Sequence, residues 1–368
     1  MGNKNIIILI FIAVFVAVVF FVSRPANEHD DNMPKSRQRV PVVAGFKQPN
    51  EEAQVNNGET VIEPLKILAV GDIMLDRYVG TLIKKHDTDW LFASLLKTSP
   101  EFFAKHDLIM ANLEGAVTNK GAHYPPVASN DFAFAPNLVK DLGSYNFNYF
   151  SIANNHIVDQ GQKGYIETTK NLALMGFNYS GAPDSQVDHR SVYIKQIDGR
   201  KIAMVALSMV YNDFDLTKAQ TLITEAETRS DLQIINIHWG KEYETQFNEK
   251  QQLVGQALID AGADLIIGHH PHVFQGMEIY KNKAIFYSLG NFIFDQYWSA
   301  ETQRGLAIGI VYQNQVWQFH LFGLGSKMSQ PYLVTDTAKD KFLADFASRS
   351  KLEKKYLEQI KSGVITLE

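Results

Sequence analysis

Three imidazoles crowd one short stretch, Gly268-His269-His270-Pro271-His272, directly after the apolar run DLII. Buried imidazoles are costly unless something uses them. Polar groups also stand where four other apolar runs stop: Gly71-Asp72, Asn112-Leu113-Glu114-Gly115, Asn154-Asn155-His156 and His238-Trp239-Gly240. Carboxylates, amide carbonyls and imidazoles without sulfur make a ligand set for a divalent transition metal. Each group also has an ordinary structural reading. Asp72 could close a turn, and Asn154-Asn155 could take left-handed turn geometry. His238 could be a satisfied buried histidine, and Glu114 could cap a helix after its strand. The metal reading requires only that the groups meet, whereas the ordinary readings must all hold at corresponding strand ends.

The elements that would bring them together are legible as β-rich apolar runs near 65–70 and at 107–113, 147–153, 201–207, 232–239 and 264–270. Helix-like stretches at 161–175, 217–229 and 249–261 separate several of them. Alternating strands and helices indicate an α/β domain with a largely parallel core, whose nearly continuous apolar strands are covered on both faces. In such sheets ligands gather beyond the carboxyl ends of the strands. Short strand candidates at 273–280, 284–290, 306–312 and 316–322 predict antiparallel pairing at the end of the domain. The segment 326–368 reads as a peripheral helical tail, charged over 338–361.

Taken in order, GDIML (71–75), NLEG (112–115), ANNHIVDQG (153–161), HWGKEY (238–243), DLIIGHHPHVFQG (264–276) and YSLGNFIFDQ (287–296) resemble the CapA family of poly-γ-glutamate capsule synthesis proteins. The resemblance spans roughly residues 65 to 325. That family is similar to the calcineurin-like metallophosphatases, so the resemblance implies a layered α/β/β/α sandwich. It places Asp72 at the first metal aspartate, Glu114 at the bridging carboxylate, Asn155 at the amide ligand and His238 at the isolated histidine ligand. His270 and His272 fit the terminal H-x-H pair, with His269 leaving the register open. His156 takes the place of the histidine that assists the leaving group, and Asp159 is expected close by to orient it. The implied cofactor is a divalent metal, Mn, Fe or Zn, as one or two ions. One departure is clear: the superfamily has D-x-H in its first motif and this chain has Asp72-Ile73-Met74. A thioether is a poor ligand for hard divalent metals. Asp76 could compensate, or the site could hold a single ion. Glu114 in place of Asp also lengthens the bridging arm by a methylene.

Residues Ile6 to Val22 carry no polar group and would span roughly 25 Å as a helix, the short end of a membrane crossing. Without a small-x-small cleavage site after it, the run reads as an uncleaved anchor over 6–23, preceded by a short tail (1–5) and followed by a Pro-rich tether (24–64). Lys4 before the span, with Arg24, Asp30 and Asp31 after it, leans towards an extracytoplasmic C-terminal domain and a single-pass protein of the cell membrane. The chain has 368 residues, 35 Lys+Arg against 40 Asp+Glu, a net charge of -5 and no Cys. Thiolate metal sites, cysteine nucleophiles and a lipoprotein anchor are thereby excluded. The acidic balance lacks the electrostatic footprint of a nucleic-acid binder.

The resemblance implies a membrane-anchored component of poly-γ-glutamate, or related γ-glutamyl polymer, synthesis and export. Its implied partners are a polyglutamate ligase and membrane subunits, with the anionic polymer or a phosphoester as substrate. An extracytoplasmic metal-dependent phosphoesterase and a non-catalytic assembly subunit are the alternatives. Trp239, beside His238, is the aromatic residue expected near the site.

Overall fold

The computed structural model describes residues 63–123, 130–211 and 213–368. In chain order its strands are β1 (Leu65–Ile73), β2 (Leu108–Leu113), β3 (Ala116–Val117), β4 (Ala133–Phe134), β5 (Tyr149–Ser151), β6 (Asn178–Ser180), β7 (Val192–Ile197), β8 (Arg200–Ser208) and β9 (Leu232–His238). They continue as β10 (Leu265–His269), β11 (Met277–Tyr280), β12 (Lys283–Phe286), β13 (Asn291–Ile293), β14 (Arg304–Gln313), β15 (Val316–Lys327), β16 (Gln330–Leu333) and β17 (Val364–Leu367). The helices are α1 (Arg77–His86), α2 (Asp89–Thr98), α3 (Pro136–Leu142), α4 (Gly161–Leu174), α5 (Leu216–Glu227), α6 (Glu249–Asp260), α7 (Asp336–Arg349) and α8 (Lys354–Ile360).

Two sheets organise this mixed α/β fold. One runs β16-β15-β14-β1-β2-β5-β6, with β13 added to β1 and β17 to β15; the other runs β11-β12-β10-β9-β8-β7. Strands β1, β2, β5 and β6 are mutually parallel, as are β8, β9, β10 and β12. Strand alternation explains the layering. Leu65, Ile67 and Ala69 of β1 meet Met204, Ile234 and Ile267 of the other sheet, forming the core between sheets. Their neighbours Leu68 and Val70 face a second core with Val79, Phe92, Val139 and Leu172 of α1 to α4. On the far side, Ile235, Ile237 and Ile266 pack against Ile223 of α5 and Leu258 of α6. Strands β1, β2, β8, β9 and β10 are thus covered on both faces, which is why these runs lack polar alternation.

The end of the chain differs from the sequence expectation in two ways. The strands after residue 273 are not purely antiparallel, since β12 joins β10 and β13 joins β1 in parallel. The segment 326–368 is not a peripheral helix. It holds part of β15, then β16, two helices and the closing strand β17, which pairs with β15. Phe342, Leu343, Phe346 and Ile360 are buried in the core between the sheets. The charged face of this segment hides an apolar stripe that the core needs.

One close approach shapes the site. A Cβ on Gly71 would lie 1.9 Å from the carbonyl oxygen of Gly290, so only glycine lets β1 and the segment leading into β13 meet. Asp72 N–H then donates to Gly290 O at 3.0 Å. Among the described residues no helix is long and apolar enough to cross a membrane; the expected anchor at 6–23 lies outside them.

Candidate metal centre

Parallel strands of both sheets deliver their polar ends to one place. Asp72 and Asn112 are the penultimate residues of β1 and β2, and Glu114 follows β2; His238 ends β9 and His269 ends β10. One ligand atom from each of Asp72, Glu114 and His238 lies within 4.8 Å of the others, and all three residues are buried. They form a group able to hold a metal ion.

Asn112, on the inward face of β2, joins the set. Its Nδ2 donates to Asp72 Oδ1 at 2.9 Å and to Glu114 Oε2 at 3.2 Å. Its Oδ1 accepts from Asn154 Nδ2 at 3.1 Å, and Asn154 Nδ2 also donates to Leu113 O at 2.9 Å. Asn155 Oδ1 and His238 Nε2 point at one another across 2.7 Å, and His270 Nδ1 is 3.1 Å from the same His238 nitrogen. His272 donates Nδ1–H to Asn291 Oδ1 at 3.0 Å. That bond fixes its tautomer and leaves Nε2 as a lone-pair donor, 3.6 Å from Glu114 Oε1. His270 and His272 both take positive φ, 98° and 59°, so a contorted turn aims the two rings inward. His269 is a further member: its Nδ1–H donates to Asp72 Oδ1 at 3.1 Å. His156 donates Nδ1–H to Asp159 Oδ2 at 2.7 Å, lies against Phe132 (ring centroids 4.0 Å apart) and sets Nε2 at 3.8 Å from Glu114 Oε1.

The electrostatics favour a cation. Burial pushes the Glu114 carboxyl well above its usual value, and the negative charges of Asp72, Glu242 and Asp159 add to the push. Burial also raises Asp72, but the hydrogen bond from His269, the neighbouring imidazoles of His269 and His272 and the bond from Asn112 outweigh it and hold Asp72 low. Burial drives His238 well below its ordinary value and brings His270 and His272 down to about 4. Imidazoles kept neutral beside an ionised Asp72 present lone pairs rather than protons, the state that ligation requires. Glu114 Oε1 and His269 Nε2 are buried with no hydrogen-bond partner. Unpartnered buried acceptors are uncommon, and Glu114 Oε1 lies within the cluster, 3.6 Å from His272 Nε2 and 3.8 Å from His156 Nε2. On these grounds the residues fit a divalent cation.

The structure therefore brings Asp72, Glu114, Asn155, His238, His270 and His272 together, with His156 and Asp159 at the margin. Neither substitute for the missing first-motif histidine joins them. Met74 is buried in the helix-side core, and its sulfur accepts from Asp76 N–H at 3.0 Å. Asp76 caps α1 through Arg77 N–H and accepts from Ala133 N–H. Glu114 caps no helix, because β3 follows it. Trp239 faces away from the site. It packs in the outer core and donates Nε1–H to Tyr287 O at 2.8 Å. Sequence reasoning missed Asn112, Asn154 and Asn291 as braces; alternation along β2, which turns Met110 inward, was the available signal for Asn112.

Residues 66–296 match the family model described as bacterial capsule synthesis protein PGA_cap. The chain is 31% identical over 263 residues to the capsule biosynthesis protein CapA of Bacillus anthracis, covering 66% of this chain and 63% of the relative. It is 32% identical over 251 residues to the PGA biosynthesis protein CapA of Bacillus subtilis (strain 168), covering 64% and 65%. The matches thus span just under two thirds of these relatives. Among solved structures, a phosphatase of Mycoplasma pneumoniae aligns with a TM-score of 0.43 and 14% identity, over 74% of this chain and 92% of that one.

Proposed function

The chain belongs to the bacterial capsule synthesis protein family, and from that premise we propose that it is a membrane-anchored component of γ-glutamyl polymer synthesis and export. In this reading a metallophosphatase-type centre cleaves a bond of the polymer during its release or attachment. The 6–23 run holds the domain on the extracytoplasmic face, beside a polyglutamate ligase and membrane subunits. The observation that carries the reading is the pairing of two buried carboxylates, one with an unpartnered oxygen, with imidazoles that burial keeps neutral.

Asp72, Glu114, Asn155, His238, His270 and His272 would hold one or two ions of Mn, Fe or Zn. A bound ion of this kind supplies a water acidified towards neutrality and a Lewis acid for an acyl or phosphoryl oxygen. The chain's own residues do the rest. Asn112 keeps both carboxylates aimed inward. Asn291 fixes the His272 tautomer. Asp159 holds His156 Nδ1–H, so that Nε2 is the atom that gives or takes a proton at the reacting group. Phe132 shields one face of that imidazole from water.

The test is turnover of γ-linked glutamate oligomers by the purified full chain, with and without added divalent metal. The proposal expects metal-dependent cleavage that falls about 10²–10⁴-fold in His156→Ala with metal content unchanged. Undiminished turnover in that variant would remove His156 from the chemistry. Metal-dependent release of phosphate from an aryl phosphate, without cleavage of the oligomer, would replace the polymer reading by a phosphoesterase.

A further inference from the structure

Few large apolar side chains are exposed among the described residues, and three of the aromatic ones border the metal centre: Tyr211 (39%), Tyr243 (45%) and Trp298 (64%). Tyr211 donates its hydroxyl to Asn155 O at 3.0 Å. The Tyr243 ring is inclined 30° to His272, centroids 6.2 Å apart, and Trp298 meets Tyr243 edge-on at 6.0 Å and 81°. The rings come from separate loops, one after β9 and one after β13, so no local periodicity accounts for their meeting.

Tyr243 is also held in an unfavourable backbone conformation. Its φ is 66°, where a non-glycine residue is strained. Its N–H donates to Pro271 O at 2.8 Å, within the imidazole turn itself, and Gln296 Nε2 donates to its hydroxyl at 3.4 Å. The chain therefore sustains strain and hydrogen bonds to keep an aromatic face beside His272, while Trp298 next to it stays mostly in water. Amphipathic rings left exposed at the edge of a polar site are the usual seat of a planar ligand group.

We infer that Tyr243 and Trp298 form a substrate subsite beside the metal centre that seats a planar π-bonded group next to the bond being cleaved. Resting on the function proposed above, the group is an amide link of an extended γ-glutamyl chain. The ring of an aryl ester would present the same flat chemistry, and the test separates the two sources.

Intrinsic fluorescence gives a direct readout, because Trp239 and Trp317 are buried and Trp90 is stacked on His86, leaving Trp298 as the exposed indole. The full chain in detergent, loaded with Mn²⁺ or Zn²⁺, is titrated with a γ-linked glutamate oligomer and separately with an aryl phosphate. Binding of the oligomer should change the Trp298 emission. Trp298→Ala and Tyr243→Ala should each raise the oligomer Kd about three- to tenfold, measured by calorimetry, and Trp298→Phe should restore it. Metal content should stay at the parent level in all three. Parental Kd values in both alanine variants would overturn the subsite. Should Tyr243→Ala fail to fold, Trp298→Ala carries the test alone, since its ring is largely in solvent. If the oligomer does not bind but the aryl phosphate changes Trp298 emission and loses affinity in Trp298→Ala, the subsite stands and the polymer reading falls. If neither probe alters the emission, the subsite proposal is wrong.

Discussion

Replacing Glu114 by Gln should make the metal-free protein more stable and the metal-loaded protein less so. In the metal-free chain Glu114 is buried beside Asp72, with Oε1 lacking any hydrogen-bond partner. Its carboxyl is raised well above 4.5, so the folded state holds that proton more tightly than the unfolded chain does. The associated stability is present below the ordinary carboxylate value and is lost as pH rises through the raised one. Gln keeps the shape without the charge. A buried unpartnered polar group costs roughly 1–3 kcal/mol, and more when charged; Gln removes only the excess due to charge, and relieving about 2 kcal/mol would raise Tm by about 4 °C in a domain of this size. The gain should be small at about pH 4, where the carboxyl is protonated in both states, and larger at about pH 8. Metal acts in the opposite sense. A divalent ion at a hundredfold its Kd adds about 2.7 kcal/mol, roughly 5 °C, to the parent and little to Glu114→Gln. Scanning calorimetry of the full chain at both pH values, with chelator or with metal, should therefore show the order of Tm values reversing. A lower Tm for Glu114→Gln in chelator at about pH 8, or an equal metal-induced rise in both proteins, would refute the reasoning.

Three further outcomes follow from the same geometry. Asn112→Leu removes the donor shared by Asp72 and Glu114 and should weaken metal binding about 10–100-fold, as read by competition with a chromophoric chelator. His270 and His272 are brought down to about 4 by burial, so their contribution to stability is present above about 6.5 and lost as pH falls through about 4; in chelator, the His270→Gln/His272→Gln double variant should show a shallower acid limb of Tm against pH. Phe346→Ala, at a fully buried ring of α7, should cost about 3–5 kcal/mol in urea unfolding, whereas a peripheral tail would give a change near zero.

The strands could be read from sequence because each buried parallel strand is a nearly continuous apolar run, and its polar stop marks the carboxyl end where ligands collect. Asp72, Glu114, His238 and the imidazole turn were found that way. Alternation puts a residue adjacent to the inward His238 on the opposite face, which is why Trp239 lies in the outer core rather than near the site. That Asn112 and Asn291 act as braces is not legible from sequence, because only the fold reveals what their amides touch. Tyr243 and Trp298 meet through two loops, a contact to which local pattern is blind. In the final segment, Phe342, Phe346 and Ile360 carry an apolar stripe that the abundance of Lys and Asp obscured.

The most direct test of the metal centre is elemental analysis of the full chain after exposure to Mn²⁺, Fe²⁺ or Zn²⁺ and exhaustive dialysis, for the parent and for Glu114→Ala, His238→Ala and His272→Ala. The account predicts about one or two ions retained per parent chain and nearly none in each folded variant. A parent that retains no ion, or variants that retain as much as the parent, would contradict it.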